Sequence, residues 1–183
     1  MVASTASVRV WDIVVRLTHW SVAALVLWNL FEDSGGPLHR AVGYVAAGLV
    51  LFRILWGFVG TEPARFSTWV PTPAGVISDL RGMIARRPPR HLSHTPLGAL
   101  MMLTMWTLLL ALAVTGWISR LDRFWGEDWP KDVHGLLADT LMVLIVIHVI
   151  AAIAMSMVHK ENLIVAMLTG RKRQARDHED PAL

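Results

Sequence analysis

Four of the eight histidines in this 183-residue chain lie in or at the mouth of long apolar stretches: His19, His39, His134 and His148. An imidazole exchanges a proton near neutral pH and offers a neutral nitrogen to a metal. In hydrocarbon it must find a partner, so an intramembrane histidine is a functional residue by default. One alone is more often a helix-to-helix hydrogen bond than a ligand; four with related spacings are not explained that way. His134 and His148 bound the segment "HGLLADTLMVLIVIH". On a helix they stand about 21 Å apart along the axis, and fourteen steps of about 100° leave both rings on nearly the same side. One helix face thus presents two ligands at two depths.

The elements that would carry them are membrane spans. Hydrophobic residues make up 54% of the chain and charged residues 17%, against about a quarter charged in a soluble domain. Four apolar blocks approach the roughly 20 residues a bilayer requires: 14–31, 39–58, 97–118 and 134–158. The first carries His19 and no small-residue cleavage site, so it reads as an uncleaved span and not a signal peptide. The expected fold is an all-α integral membrane protein, an up-and-down bundle of four transmembrane helices. The loop segment "TPAGVISDLRGMIARR" adds a short amphipathic helix. Thr72 is its N-cap, Pro73 its first residue, and Val76, Ile77, Leu80, Met83 and Ile84 share a face away from Arg81, Arg86 and Arg87. That face suits either the membrane surface or packing on the bundle. The chain reads as one unit over 10–173, with a polar, disordered tail at 174–183.

The isoelectric point near 9.9 does not imply nucleic acid, because the basic residues flank the spans. Two at the start of the chain counting Arg16, five in 60–95 and five from His159 onward make twelve, against four (Arg40, Arg120, Arg123, Lys131) in the other loops. By the positive-inside rule both termini are cytoplasmic. The absence of cysteine excludes disulfides, thiolate-bound iron–sulfur clusters and covalently attached c-type haem.

With that topology the histidines fall into two depth pairs. His39 and His134 open their spans at the outer face. His19 lies about 18 Å inward along the first span, at the level of His148. Two facing imidazoles at one depth suit haem b, and iron closed on both axial sides shuttles electrons instead of binding oxygen. A zinc or copper site would need the four to converge on one point. Gly43, Gly48 and Gly135 either leave room for a flat macrocycle or serve plain helix packing. Arg53, a charge inside the second span near the inner pair, is read as the partner of a haem propionate. Asp139 is read as a hydrogen-bonding group within the bundle, with a proton relay the alternative. Ser21, a hydrogen-bond donor, and His159, suited to proton exchange, are further candidate site residues near the inner pair. His91, His94 and His178 are read as ordinary interfacial or solvated residues.

"RLTHW", "LHRAVGY", "FRILWGFVG" and "VHGLLAD…IHV" together resemble the bacterial cytochrome b561 family, which includes the cytochrome b subunits of membrane-bound nickel–iron hydrogenases. "SHTPLGALM" and "HKENLIVAMLTGRKR" resemble its hydrogenase-type branch. The resemblance implies a four-helix bundle with two haems b, one on His19 and His148 and one on His39 and His134. It also implies electron exchange between a redox partner and the quinone pool, which makes Ser21 and His159 candidates for a quinone site near the inner pair. The expected role is an electron-transfer subunit linking a periplasmic cytochrome c, dehydrogenase or hydrogenase to quinone. The alternative is a stand-alone superoxide:quinone oxidoreductase, for which an outer surface richer in acids than bases is a poor funnel. A haem-free scaffold or transporter leaves the paired histidines unexplained. Membrane lipid surrounds the chain in each reading; the oligomeric state stays open, with a homodimer one option.

Overall fold

The computed structural model of the protein describes residues 7–32, 34–85 and 94–173. His91, Arg86, Arg87 and the tail 174–183 lie outside them. Four long helices dominate: α1 (Ile13–Phe31), α2 (Pro37–Val59), α5 (Pro96–Ile118) and α6 (Trp129–Val158), each long and apolar enough to cross a membrane. Between α2 and α5 lie a one-turn α3 (Phe66–Trp69) and the amphipathic α4 (Pro73–Ile84); a short α7 (Leu163–Thr169) follows α6. The protein is a four-span membrane bundle, as its hydropathy blocks foretell.

The helices start where the side chains permit. Asp12 caps α1 by accepting from the Val15 amide at 2.8 Å, and Thr95 caps α5 by accepting from Gly98 at 3.0 Å. Proline occupies the first turn of α2, α4, α5 and α6, where its missing N–H costs nothing. The fourth span begins five residues before the apolar block does, because its first turn carries the charged Lys131 and Asp132 after Trp129 and Pro130. Thr72 caps α4 as expected. This helix is pinned to α5 through buried Asp79, which accepts from the Leu97 amide at 3.1 Å. Ile77, Leu80, Met83 and Ile84 remain exposed. The helix therefore docks through Gly75, Val76, Asp79 and Gly82 and leaves most of its large apolar side chains outward.

α1 packs on α2, α5 on α6, and α2 on α5, whereas α6 makes scarcely any close backbone approach to α1 or α2. A mid-bundle core forms around Val26, Ala46 and Leu141, with Val22, Leu25, Met105, Leu108 and Ile145 against it. At the end where α1 begins and α6 ends, Val10, Trp11, Val15 and Ala64 form a second cluster with Trp56 and Met167. Two three-residue strands close that end, β1 (Ser7–Arg9) antiparallel to β2 (Arg171–Arg173). Gly170, in the left-handed conformation at φ 79°, ends α7 and turns the chain into β2.

Candidate functional site

The bundle brings the four intramembrane histidines together as two pairs. The His39 and His134 ring centres are 6.2 Å apart at an interplanar angle of 61°. Those of His19 and His148 are 6.5 Å apart at 47°. Each pair spans the interface where α6 stands off from α1 and α2. No group of three or more metal-ligating side chains occurs among the described residues.

An imidazole nitrogen lies about 2 Å from a first-row metal it binds, so two rings on opposite sides of one iron have their centres roughly 6 Å apart. Both pairs meet that spacing. The tautomers of the first pair also suit ligation. His39 Nδ1 stands 2.6 Å from the Glu32 main-chain oxygen, which can only accept, so Nδ1 carries the proton and Nε2 keeps a lone pair for a metal. His134 Nδ1 lies 3.0 Å from Thr115 Oγ1. Thr115 spends its own proton on the Ala111 carbonyl at 2.9 Å, so its oxygen accepts and His134 is fixed in the same tautomer. At the second pair, His19 Nδ1 is buried without a protein partner, and His148 forms no hydrogen bond among the described residues. These features accommodate a bis-histidine metal macrocycle at both places.

The glycines divide. A Cβ at Gly48 or Gly135 would meet nothing within 4 Å, at Gly43 it would touch Asn29 Nδ2 at 3.1 Å, and at Gly116 His134 Cε1 at 3.3 Å. Gly116 lets α5 approach the His134 ring closely enough for the Thr115 bond. Between the pairs lies the apolar core. Ala46 and Leu141 are each seven residues from the pair histidine above them, and Val26 is seven from His19.

Arg53 follows His39 by the fourteen residues that also separate His148 from His134, so it shares the depth of the His19–His148 pair. It is only 5% exposed. Its Nη2 donates to the Ala64 carbonyl at 3.2 Å, its guanidinium faces the Trp106 ring at 5.5 Å, and Nη1 is buried with no protein partner. Around it the terminal end is unusually polar for its burial. Asp12 Oδ2 accepts from Trp56 Nε1 at 3.0 Å and Thr61 Oγ1 at 2.6 Å. Burial alone would raise the Asp12 carboxyl, but the bonds from Thr61, Val15, Trp56 and Val14 outweigh it and hold the pKa below the usual range. His94 lies between Trp11 and Trp69, with ring centres at 4.7 and 4.9 Å. Loss of water, then the positive charges of Arg53 and Lys172, push its pKa down to about 3. It is a packed residue of this cluster and not the ordinary interfacial histidine expected from its position.

Ser21 is exposed on α1, two residues past His19. His159 ends α6, and its carbonyl accepts from Arg173 Nη2 at 3.5 Å. Beside that helix end lies a cavity of about 300 Å³ lined by Ile153, Ser156, Met157, Lys160, Asn162 and Ile164, among others. Asp139 is exposed and forms none of the expected bundle hydrogen bonds among the described residues.

The model for prokaryotic cytochrome b561 matches residues 10–170 of the chain. A probable Ni/Fe-hydrogenase B-type cytochrome subunit of Rhizobium leguminosarum bv. viciae is 26% identical over 220 aligned positions, covering 95% of this chain and 92% of the relative. Its counterpart in Bradyrhizobium diazoefficiens is 28% identical, covering 93% and 87%. Cytochrome b562 of Cereibacter sphaeroides is 27% identical over 84% of this chain and 91% of its own. No solved structure matches. With a family match over nearly all of the chain, four spans and histidines facing in pairs, the chain belongs to the prokaryotic cytochrome b561 family and is a membrane-bound, haem-binding b-type cytochrome of electron transfer.

Proposed function

We propose that the unit 10–173 holds two haems b, one between His39 and His134 and one between His19 and His148, and carries electrons across a bacterial inner membrane between a periplasmic redox protein and the quinone pool. The observation that carries this reading is the spacing of the two pairs, 6.2 and 6.5 Å between ring centres, with the first pair's tautomers set for ligation. Each bound haem supplies a one-electron iron couple closed to oxygen. The protein's part is to fix the imidazoles, exclude water with Val26, Ala46 and Leu141, and neutralise charge. The unpartnered Nη1 of Arg53 supports its role as partner of a propionate at the inner site.

The twelve-to-four basic distribution supports cytoplasmic termini and puts the His39–His134 pair on the periplasmic side. Two relatives bear the name of hydrogenase cytochrome subunits, which makes a hydrogenase one class of periplasmic partner, beside a c-type cytochrome or another dehydrogenase. Quinone binds near the inner pair: His159 and the adjoining cavity provide proton exchange and room for a ring, with Ser21 as a further donor on α1.

A pyridine haemochrome assay on purified protein tests the reading. Two haems b per chain are expected, and one or none would refute it. His148→Ala should remove one haem and leave the other.

A further inference from the structure

The two histidine pairs differ in what holds their rings. On the first, both Nδ1–H groups meet an oxygen. Glu32 accepts from His39 through its main-chain carbonyl at 2.6 Å, and its carboxylate Oε2 stands 3.6 Å from the same nitrogen. Thr115 accepts from His134 at 3.0 Å while donating to Ala111 at 2.9 Å. That onward bond polarises the hydroxyl and makes it a better acceptor. Most other span threonines, such as Thr104 and Thr107, simply return their hydroxyl to the carbonyl four residues back; Thr115 does this and also accepts a hydrogen bond from His134 on the neighbouring helix. On the second pair His19 Nδ1 has no partner, and no hydrogen bond reaches His148 among the described residues. The buried cation Arg53 lies at this second depth.

Each difference acts in one direction. An oxygen on Nδ1–H makes an imidazole a more basic ligand, which favours the oxidised metal and lowers its potential. A carboxylate nearby does the same, and a buried guanidinium favours the reduced state, an effect the Asp12 carboxylate acting on Arg53 offsets only in part. We infer that Thr115 and Glu32 are positioning residues that make the His39–His134 site the lower in potential of the two. An electron then runs downhill from that pair to the His19–His148 pair. One electron leaves the first site as the second gains it; no bond forms or breaks and no proton moves. The inference rests on the two-haem reading. It names Thr115 and Glu32 as the residues that set the order of the two sites, with electrons moving from the His39–His134 end of the bundle toward the His19–His148 end.

The test is potentiometry of the full-length, haem-loaded protein in nanodiscs, read by absorbance. Two one-electron waves are expected. In His148→Ala the surviving wave should be the lower one. Thr115→Val and Glu32→Gln should each move the lower wave upward and leave the higher in place, and Thr115→Ser, which keeps the acceptor, should restore the wild-type value. A residue that merely supports folding would not show this selectivity or this rescue. Glu32→Gln, in a loop, serves as an independent measurement should Thr115→Val fail to load. Survival of the higher wave in His148→Ala, or unmoved lower waves in the loaded variants, would overturn the inference while leaving two haems intact. A haemochrome count below two would instead sink the two-haem reading, and this inference with it.

Discussion

His94 shows what a single side chain gains from neighbours remote in sequence. Between Trp11 and Trp69, with Arg53 and Lys172 as charged neighbours, its pKa lies near 3 against an ordinary 6.5. A histidine depressed in the folded state stabilises the fold fully above pH 6.5 and loses that contribution as pH falls toward the folded value. Thermal unfolding in detergent should therefore show midpoints that decline from pH 6.5 to 4, and the decline should be shallower in His94→Gln. Parallel slopes for both proteins would place the acid sensitivity elsewhere. His94 was not legible in the sequence, since its packing depends on tryptophans 83 and 25 residues away. The four span histidines were legible because imidazole in hydrocarbon is costly and their spacing repeats. Thr115 was hidden for the opposite reason: a threonine in a membrane helix usually bonds its own backbone, and nothing local shows that it also receives His134.

The long helices were readable because the spans are apolar throughout, and their boundaries fell within a few residues except at α6. There the first turn from Trp129, which carries the charged Lys131 and Asp132, lies outside any apolar window. The β1–β2 clasp was invisible, being two polar three-residue strands at opposite ends of the chain. Its hinge is Gly170, whose carbonyl accepts from the amides of Val10 and Trp11 at 2.9 and 3.2 Å. A Cβ there would stand 2.5 Å from the Trp11 carbonyl oxygen, at a φ of 79°. Gly170→Ala should cost at least the roughly 1–2 kcal/mol of a left-handed non-glycine residue, seen as a lower unfolding midpoint and faster proteolysis at the termini. An unchanged midpoint would mean that the clasp contributes nothing to stability. Gly57 makes a comparable demand inside α2, since a Cβ would come within 2.4 Å of the Phe66 ring. Gly57→Leu should lower the yield of folded protein through overpacking, measurable by size-exclusion chromatography in detergent.

For the molecule as a whole, orientation decides which compartment each pair serves. A reporter active only in the periplasm, fused after Leu183, should stay silent in cells, and one active in the cytoplasm should signal. The reverse would turn the molecule over and exchange the compartments of the two pairs. The apolar core between those pairs has a further consequence. Val26, Ala46 and Leu141 pack at mid-bundle, Leu141 only 1% exposed, so on the two-haem proposal an electron passing between the pairs would cross an apolar layer with no compensating proton. Its passage over about 21 Å of helix displaces net charge through a large part of the membrane's electric field. A full crossing is worth about 2.3 kcal/mol per 100 mV, so the transmembrane voltage of a working cell becomes a term in the balance between the two sites. In sealed vesicles, an imposed diffusion potential should redistribute electrons between them, and collapsing it with an ionophore should undo the shift.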